Sequence, residues 1–221
     1  MCGRFTLTHP SDALAGIFEA VPANDLPDVP NFNICPTNRI HAVTLEDGRR
    51  RLRALRWGFI PHWAKAESDG PLLINARAET IAEKPAFRAA ARERRCLVPA
   101  SGFYEWTKDA EGRRLPWHIR HRAGEVIAFA GVWQDWERGE TSLSTCAIVT
   151  CAANGPMSEI HHRMPVIVEP ADWPLWLGEA GKGAARLMRP APDDLLEAYR
   201  VDPAVNSNRA HGAGLIEPVP A

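Results

Sequence analysis

The 221-residue sequence has no apolar run approaching the roughly 18 residues a membrane-crossing helix needs. Its opening, Met1-Cys2-Gly3-Arg4-Phe5, lacks the apolar stretch of a secretory signal. A soluble, cytoplasmic protein is the expectation. No CxxC spacing joins any pair of the five cysteines, Cys2, Cys35, Cys96, Cys146 and Cys151, so no structural zinc site is expected. An odd cysteine number in a chain of this kind argues against a disulfide framework. Repeats and low-complexity segments are absent. There is no surplus of either charge, since the net value is -1, and bulk charge therefore announces no polyanionic partner.

What is present fits an ordinary globular chain, with 45% hydrophobic and 24% charged residues. The length suits a single domain over 1–221. Ser11 is placed to cap a helix carrying Leu14, Ile17, Phe18 and Val21 on one face. A Pro/Asn-rich loop is expected from Pro22 to Asn38. Asp47-Gly48 between His41–Leu45 and Leu52–Trp57 predicts a hairpin. Pro85 opens a helix running to about Arg94. Strands are expected at Cys96–Pro99, Phe103–Trp106, Trp117–Arg120, Val126–Val132, Leu143–Thr150 and Pro165–Val168. Late helices are expected near Ala171–Leu177 and Asp193–Tyr199. Strands and helices mix without regular alternation. The expected fold is therefore α+β, one domain with a curled, mostly antiparallel, barrel-like sheet flanked by short helices. The segment after about residue 207 is expected to be peripheral.

Several positions carry chemistry. Removal of Met1 would leave Cys2 with an α-amine and a thiol on adjacent carbons, with ordinary pKa values of about 7.7–8.0 and about 8.5. Such a pair forms a Schiff base with an aldehyde and then closes a thiazolidine ring; an internal cysteine cannot, because its amine is an amide. The alternative is a frayed terminus whose residue type is incidental. In Gly102-Phe103-Tyr104-Glu105-Trp106, strand alternation puts Phe103 and Glu105 on one face and Tyr104 and Trp106 on the other. Glu105 is either a buried carboxyl with raised pKa, suited to proton transfer, or an edge residue in water. His161 and His162, on extended backbone, would point opposite ways, so at most one faces a given site. Arg163 is suited to bidentate phosphate binding. Asn75, Arg77 and Glu79 share one face if their segment is extended. Trp57 to Trp63 supplies aromatic surface for stacking on unpaired bases or for the core. Arg49, Arg50, Arg51, Arg53 and Arg56 crowd one segment, and Arg88, Arg92, Arg94 and Arg95 another; solvated faces account for these as readily as a basic groove does.

Together, and in this order, the motifs resemble those of the SRAP family, named for SOS response-associated peptidase. They are Met-Cys-Gly-Arg-Phe, Asn33-Ile34-Cys35-Pro36-Thr37, Trp57-Gly58-Phe59-Ile60-Pro61, Asn75-Ala76-Arg77-Ala78-Glu79-Thr80, Cys96-Leu97-Val98-Pro99-Ala100, Gly102-Phe103-Tyr104-Glu105-Trp106 and His161-His162-Arg163-Met164-Pro165. The resemblance runs to about Asn206-Ser207. It implies a protein of the DNA damage and SOS responses that binds single-stranded DNA and captures abasic sites as a covalent thiazolidine, after loss of Met1 by proposed autocatalysis. Cys2 is implied as nucleophile. Asn75 would position the Cys2 backbone and the opened sugar, and Glu105 would orient the amine and relay protons. His161 would assist ring opening and reversal. The resemblance further implies DNA contacts from Arg4, Arg77, Arg163, Trp106, Trp57 and Trp63. No metal or other cofactor is expected, because the aldehyde is already electrophilic; a monomer is expected, and a cytoplasmic protein that is nucleoid-associated when bound to DNA. His162 stands where relatives often carry an acidic residue, and His62 where a small polar residue is common. Other functions left open are a cysteine peptidase using Cys2 with His161, a non-covalent single-strand binder, and a lyase that cleaves after Schiff-base formation.

Overall fold

A computed structural model describes residues 2–219. The chain runs β1 (Phe5–Leu7), α1 (Ser11–Ile17), β2 (Val21–Pro22), β3 (Asn31–Ile34), β4 (Arg39–Glu46), β5 (Arg49–Trp57), β6 (Asn75–Arg77), α2 (Arg88–Glu93), β7 (Arg95–Ala100), β8 (Gly102–Lys108), β9 (Arg114–His121), β10 (Ile127–Arg138), β11 (Thr141–Ala152), α3 (Gly155–Ser158), β12 (Arg163–Pro165), α4 (Trp173–Leu177) and β13 (Leu196–Arg200). The α+β expectation holds, with the sheet dominant. Antiparallel pairing joins β11, β10, β7, β4 and β5 in turn, and a parallel pairing of β5 with β11, Arg56 beside Thr145 and Trp57 beside Cys146, closes the ring into a barrel. A second sheet, ordered β13-β9-β8-β1-β3, packs against it. Phe5 and Phe103 enter the shared core from this second sheet, meeting Phe129 of the barrel at 5.9 and 5.8 Å between ring centroids.

The β4–β5 hairpin forms where expected. Asp47 and Gly48 adopt φ of +50° and +72°, the left-handed pair a two-residue turn needs to match the strand twist. In β8 the two faces separate as alternation requires: Phe103 joins the main core, while Tyr104 and Trp106 pack in a smaller cluster with Val201, Val205 and Leu215. The helix at Ala171–Leu177 is present as a short 3-10 turn leading into α4.

Other expectations are corrected. Helix α1 ends at Ile17 rather than Val21, and its cap is Pro10; the Ser11 hydroxyl instead lies 3.0 Å from His41 Nε2. The 22–38 segment is not all loop, because β3 pairs with β1. Helix α2 starts at Arg88, after irregular turns from Pro85. Strand β12 stops at Pro165, leaving only an isolated bridge from Ile167 to Phe129. Residues 196–200 form strand β13, not a helix, because pairing with the free edge of β9 overrides their helix propensity. The segment after residue 207 is largely exposed but anchored: Leu215 is buried against Tyr104, and the Tyr199 hydroxyl donates to Ile216 O at 3.0 Å.

Candidate active site

Strand β1 delivers Cys2 to β8. Phe5 pairs with Phe103, and the Tyr104 N–H donates to Arg4 O at 2.9 Å. Continuing that register brings the chain just before Arg4 level with Glu105. Cys2 has no exposed surface and Glu105 only 3%. Burial, and then the Glu105 charge, push the Cys2 thiol well above its ordinary range. This thiol is held as S–H.

His161 reaches the same place from the other sheet. The Asn154 side chain caps α3 by accepting from Met157 N–H at 3.1 Å, and the His161 N–H then donates to Met157 O at 2.8 Å. Its ring Nδ1 lies 3.0 Å from Arg163 N and 3.1 Å from Arg163 O. With Nδ1 bare the ring accepts from that amide; with a proton on Nδ1, in the other neutral tautomer or in the charged ring, it donates to that carbonyl. Burial holds the His161 pKa below its ordinary value, while the nearby Glu105 charge pulls it upward. Glu105 thus acts on both Cys2 and His161, and the three form one electrostatic neighbourhood. His162 does not point away as extended backbone would require. Residues 161 and 162 precede β12 in irregular backbone, and the two rings stack with centroids 4.3 Å apart.

Asn75 sits on β6 beside Ile148 of β11. Its Nδ2 donates to Ile148 O at 3.4 Å, and its Oδ1 is buried with no hydrogen-bond partner among the described residues. An unsatisfied buried acceptor is costly, and such groups mark places where a ligand's donor fits. The next outward residue, Arg77, is exposed and pairs with Thr150. Buried Thr150 is a neighbour the sequence did not single out, because nothing in the apolar run of β11 sets it apart.

Arg163 is almost fully buried. Its guanidinium donates to both Glu79 oxygens, at 2.6 and 2.9 Å, and to Thr150 O at 2.8 Å. These hydrogen bonds hold the Glu79 carboxyl below its ordinary pKa. Arg4 is also committed, donating to Asn33 Oδ1 at 2.7 Å and Val205 O at 2.9 Å, with its guanidinium 5.8 Å from the centre of the Trp106 ring. Trp106 donates to Asn206 Oδ1 at 2.6 Å and lies under Arg114 at 4.4 Å. Of the tryptophans expected to stack on bases, Trp57 has no exposed surface. Its Nε1–H donates to Ile74 O at 2.9 Å and its ring meets Phe5, so it is a core residue and no base can reach its face. Trp63, by contrast, is 47% exposed. Among the described residues no cluster of His, Cys, Asp and Glu is placed to hold a metal ion, and no helix is long and apolar enough to cross a membrane.

A family model described as SOS response associated peptidase (SRAP) matches residues 1–208. The chain is 38% identical to a protein named abasic site processing protein YoqW from Bacillus subtilis, over 98% of this chain and 99% of that one. It is 28% identical to abasic site processing protein YedK from Escherichia coli, over 99% of this chain and all of that one. A crystal structure of a Bacteroides thetaiotaomicron protein superimposes with a TM-score of 0.86 at 22% identity, covering 99% of this chain and 100% of that one; it shares the fold.

Proposed function

The chain belongs to the SOS response-associated peptidase family, and from that premise we propose that it processes abasic sites by capturing them covalently in single-stranded DNA through Cys2. The observation that carries this is that buried Glu105, on the strand β8 that pairs with β1, lies within electrostatic reach of both the buried Cys2 thiol and His161. Abasic-site processing is what the named relatives are called.

The chemistry follows from the chain's own groups. An abasic deoxyribose opens to an aldehyde. With Met1 gone, the Cys2 α-amine adds to that carbon, and loss of water leaves an imine. The thiol sulfur then adds to the imine carbon; its proton ends on the nitrogen, and a thiazolidine closes. Because the thiol is held neutral, amine attack comes first, and Glu105 carries the thiol proton to the nitrogen in the closing step. Neutral His161 takes the C1 hydroxyl proton as the bond from C1 to the ring oxygen breaks, and returns it to that oxygen, leaving the aldehyde and a free hydroxyl. Asn75 Oδ1 accepts from the amine or the opened sugar. Arg77 binds a phosphate, while Trp63 and Trp106 hold the flanking bases; Arg163 and Arg4, committed to Glu79 and Asn33, add positive potential. Removal of Met1 is assigned to the same residues, and strand cleavage from the imine is a side reaction. A peptidase acting on other chains fits less well, since a thiol pushed up by burial and a carboxylate is a poor thiolate source.

The test is a denaturing gel of protein, freed of Met1 as verified by intact mass, with a single-stranded oligonucleotide bearing one abasic site. A denaturant-resistant shifted band, absent with Cys2→Ala and with undamaged oligonucleotide, is the expected result. Absence of the band from the verified protein overturns the proposal.

A further inference from the structure

The arginine-rich stretch of β5 takes no part in this chemistry. One edge of β5 is fully paired with β4. The other meets β2 at Arg51 and Leu52 and β11 at Arg56 and Trp57, with residues 53–55 between the two pairings. A cleft of about 620 Å³ opens in the barrel wall along this stretch. Arg39, Arg51, Arg53 and Arg56 line it, against Asp25 and Glu46. Thr37, Ser142 and Ser144 add neutral hydroxyls. Even with Asp135, 3.9 Å from Arg53, counted in, cations outnumber acids.

The arginines differ in how they are held. Arg53 is satisfied by Glu46 at 2.6 Å and Ser144 at 2.7 Å. The Arg51 side chain is exposed and makes no hydrogen bond or ion pair among the described residues. Arg39 and Arg56 stand directly opposite each other across β4 and β5. Like charges in that position destabilise a sheet unless an anion lies between them. Among the described residues, the one ion pair relieving them, Arg39 with Asp25, is more than half exposed on both sides (56% and 65%) and so screened. The position of the cleft matters as well. Strand β11 leads from Ser144 in the cleft to Ile148 beside Asn75, about 13 Å at the strand rise. Arg56 donates to Gly58 O at 2.8 Å, where the loop towards Trp63 begins.

We propose that this cleft is a second phosphate-binding site, taking the backbone of the same nucleic-acid strand whose lesion is held at Cys2. This rests on the single-strand reading above and extends the strand's path across the barrel wall. Arg51 and the Arg39–Arg56 pair are the phosphate contacts; Arg53, already neutralised, shapes the wall.

The experiment measures binding of undamaged oligothymidine of about 5 and about 20 nucleotides across a salt series, for wild type and Arg39→Ala/Arg51→Ala. For the long strand, the variant's slope of log affinity against log salt is expected to fall by roughly 1.4, about 0.7 for each lost phosphate contact, with about tenfold weaker binding at low salt. Short-strand binding, and covalent yield with a short abasic oligonucleotide, are expected to be unchanged. An unchanged slope for the long strand overturns the cleft while leaving capture at Cys2 intact. If wild type gives no covalent product but the long-strand slope still depends on the two arginines, capture fails and the cleft stands. Inorganic pyrophosphate that binds wild type as tightly as the long strand does, and is lost in the variant, overturns the strand assignment in favour of a free phosphate ligand.

Discussion

Arg163 and Glu79 meet as a two-pronged pair, Nη1 to Oε1 at 2.6 Å and Nη2 to Oε2 at 2.9 Å, with the same guanidinium bonded to Thr150 O. The Arg163 backbone in turn holds the His161 ring. One arginine therefore ties together the turn after β6, strand β11 and the histidine of the candidate site. Arg163→Ala is expected to lower stability by about 1–3 kcal/mol, since it removes one of the two donors to Thr150 O, the other being the Ala78 N–H, and takes the cation from a half-exposed ion pair. Arg163→Lys should recover only part of this, because an ammonium cannot bridge both oxygens. Urea unfolding measures both. The pair also sets an acid limit. The folded Glu79 pKa is depressed, so its stabilisation is present above the ordinary carboxylate range and is lost as pH falls through the folded value. Glu79→Gln should flatten that part of the stability profile.

The His161 pKa lies below its ordinary value of about 6.5. If the neutral ring takes a proton during sugar opening, its contribution should be lost as pH falls through a value below the ordinary histidine range, as a second acid limb added to the fall that protonation of the Cys2 α-amine imposes from about pH 8 downward. His161→Ala should slow capture by roughly 10²-fold or more and erase that acid inflection. Glu105→Gln should slow capture at least as much. Rates from quenched time courses at stepped pH decide this, and a second acid limb that is the same in wild type and His161→Ala sinks the assignment.

Buried His118 lies between Tyr199 OH, 3.0 Å from Nδ1, and Thr6 Oγ1, 3.4 Å from Nε2, and burial pushes its pKa down to about 4. The unfolded ring takes a proton near pH 6.5 and the folded one only near 4, so stability should fall as pH drops between those values, by on the order of 3 kcal/mol. Thermal melts across that window should show the fall, reduced in a His118→Gln variant. Gly102 makes room for this ring: a Cβ there would sit 2.5 Å from His118 Nε2 and 2.8 Å from the backbone Ile119 O. Gly102→Ala should cost about 1–3 kcal/mol.

The two tryptophans at the ends of one motif should part company. Trp57→Ala removes a fully buried ring and is expected to cost about 3–5 kcal/mol of stability. Trp63→Ala should leave the melting temperature nearly unchanged while weakening single-strand binding by about 1–3 kcal/mol, if one base stacks there. Anisotropy titrations beside melts separate the two effects.

Much of this was legible locally. Asp47-Gly48 set the β4–β5 turn through backbone conformations that few residue types tolerate. Alternation in β8 sorted Phe103 from Tyr104 and Trp106, because successive strand side chains must take opposite faces. The resemblance of seven short motifs singled out Cys2, Asn75, Glu105 and His161, though not their geometry. Tertiary structure decided the rest. Residues 196–200 carry local helix propensity and became a strand because the edge of β9 was there to pair with. Trp57 and Trp63 look alike in sequence, yet the parallel β5–β11 contact that closes the barrel buries one and leaves the other outside. Cys2, Glu105 and His161 are brought together by pairing registers and by a capped turn at α3. Such contacts depend on which strand edges meet, and side-chain order along a single chain does not encode that.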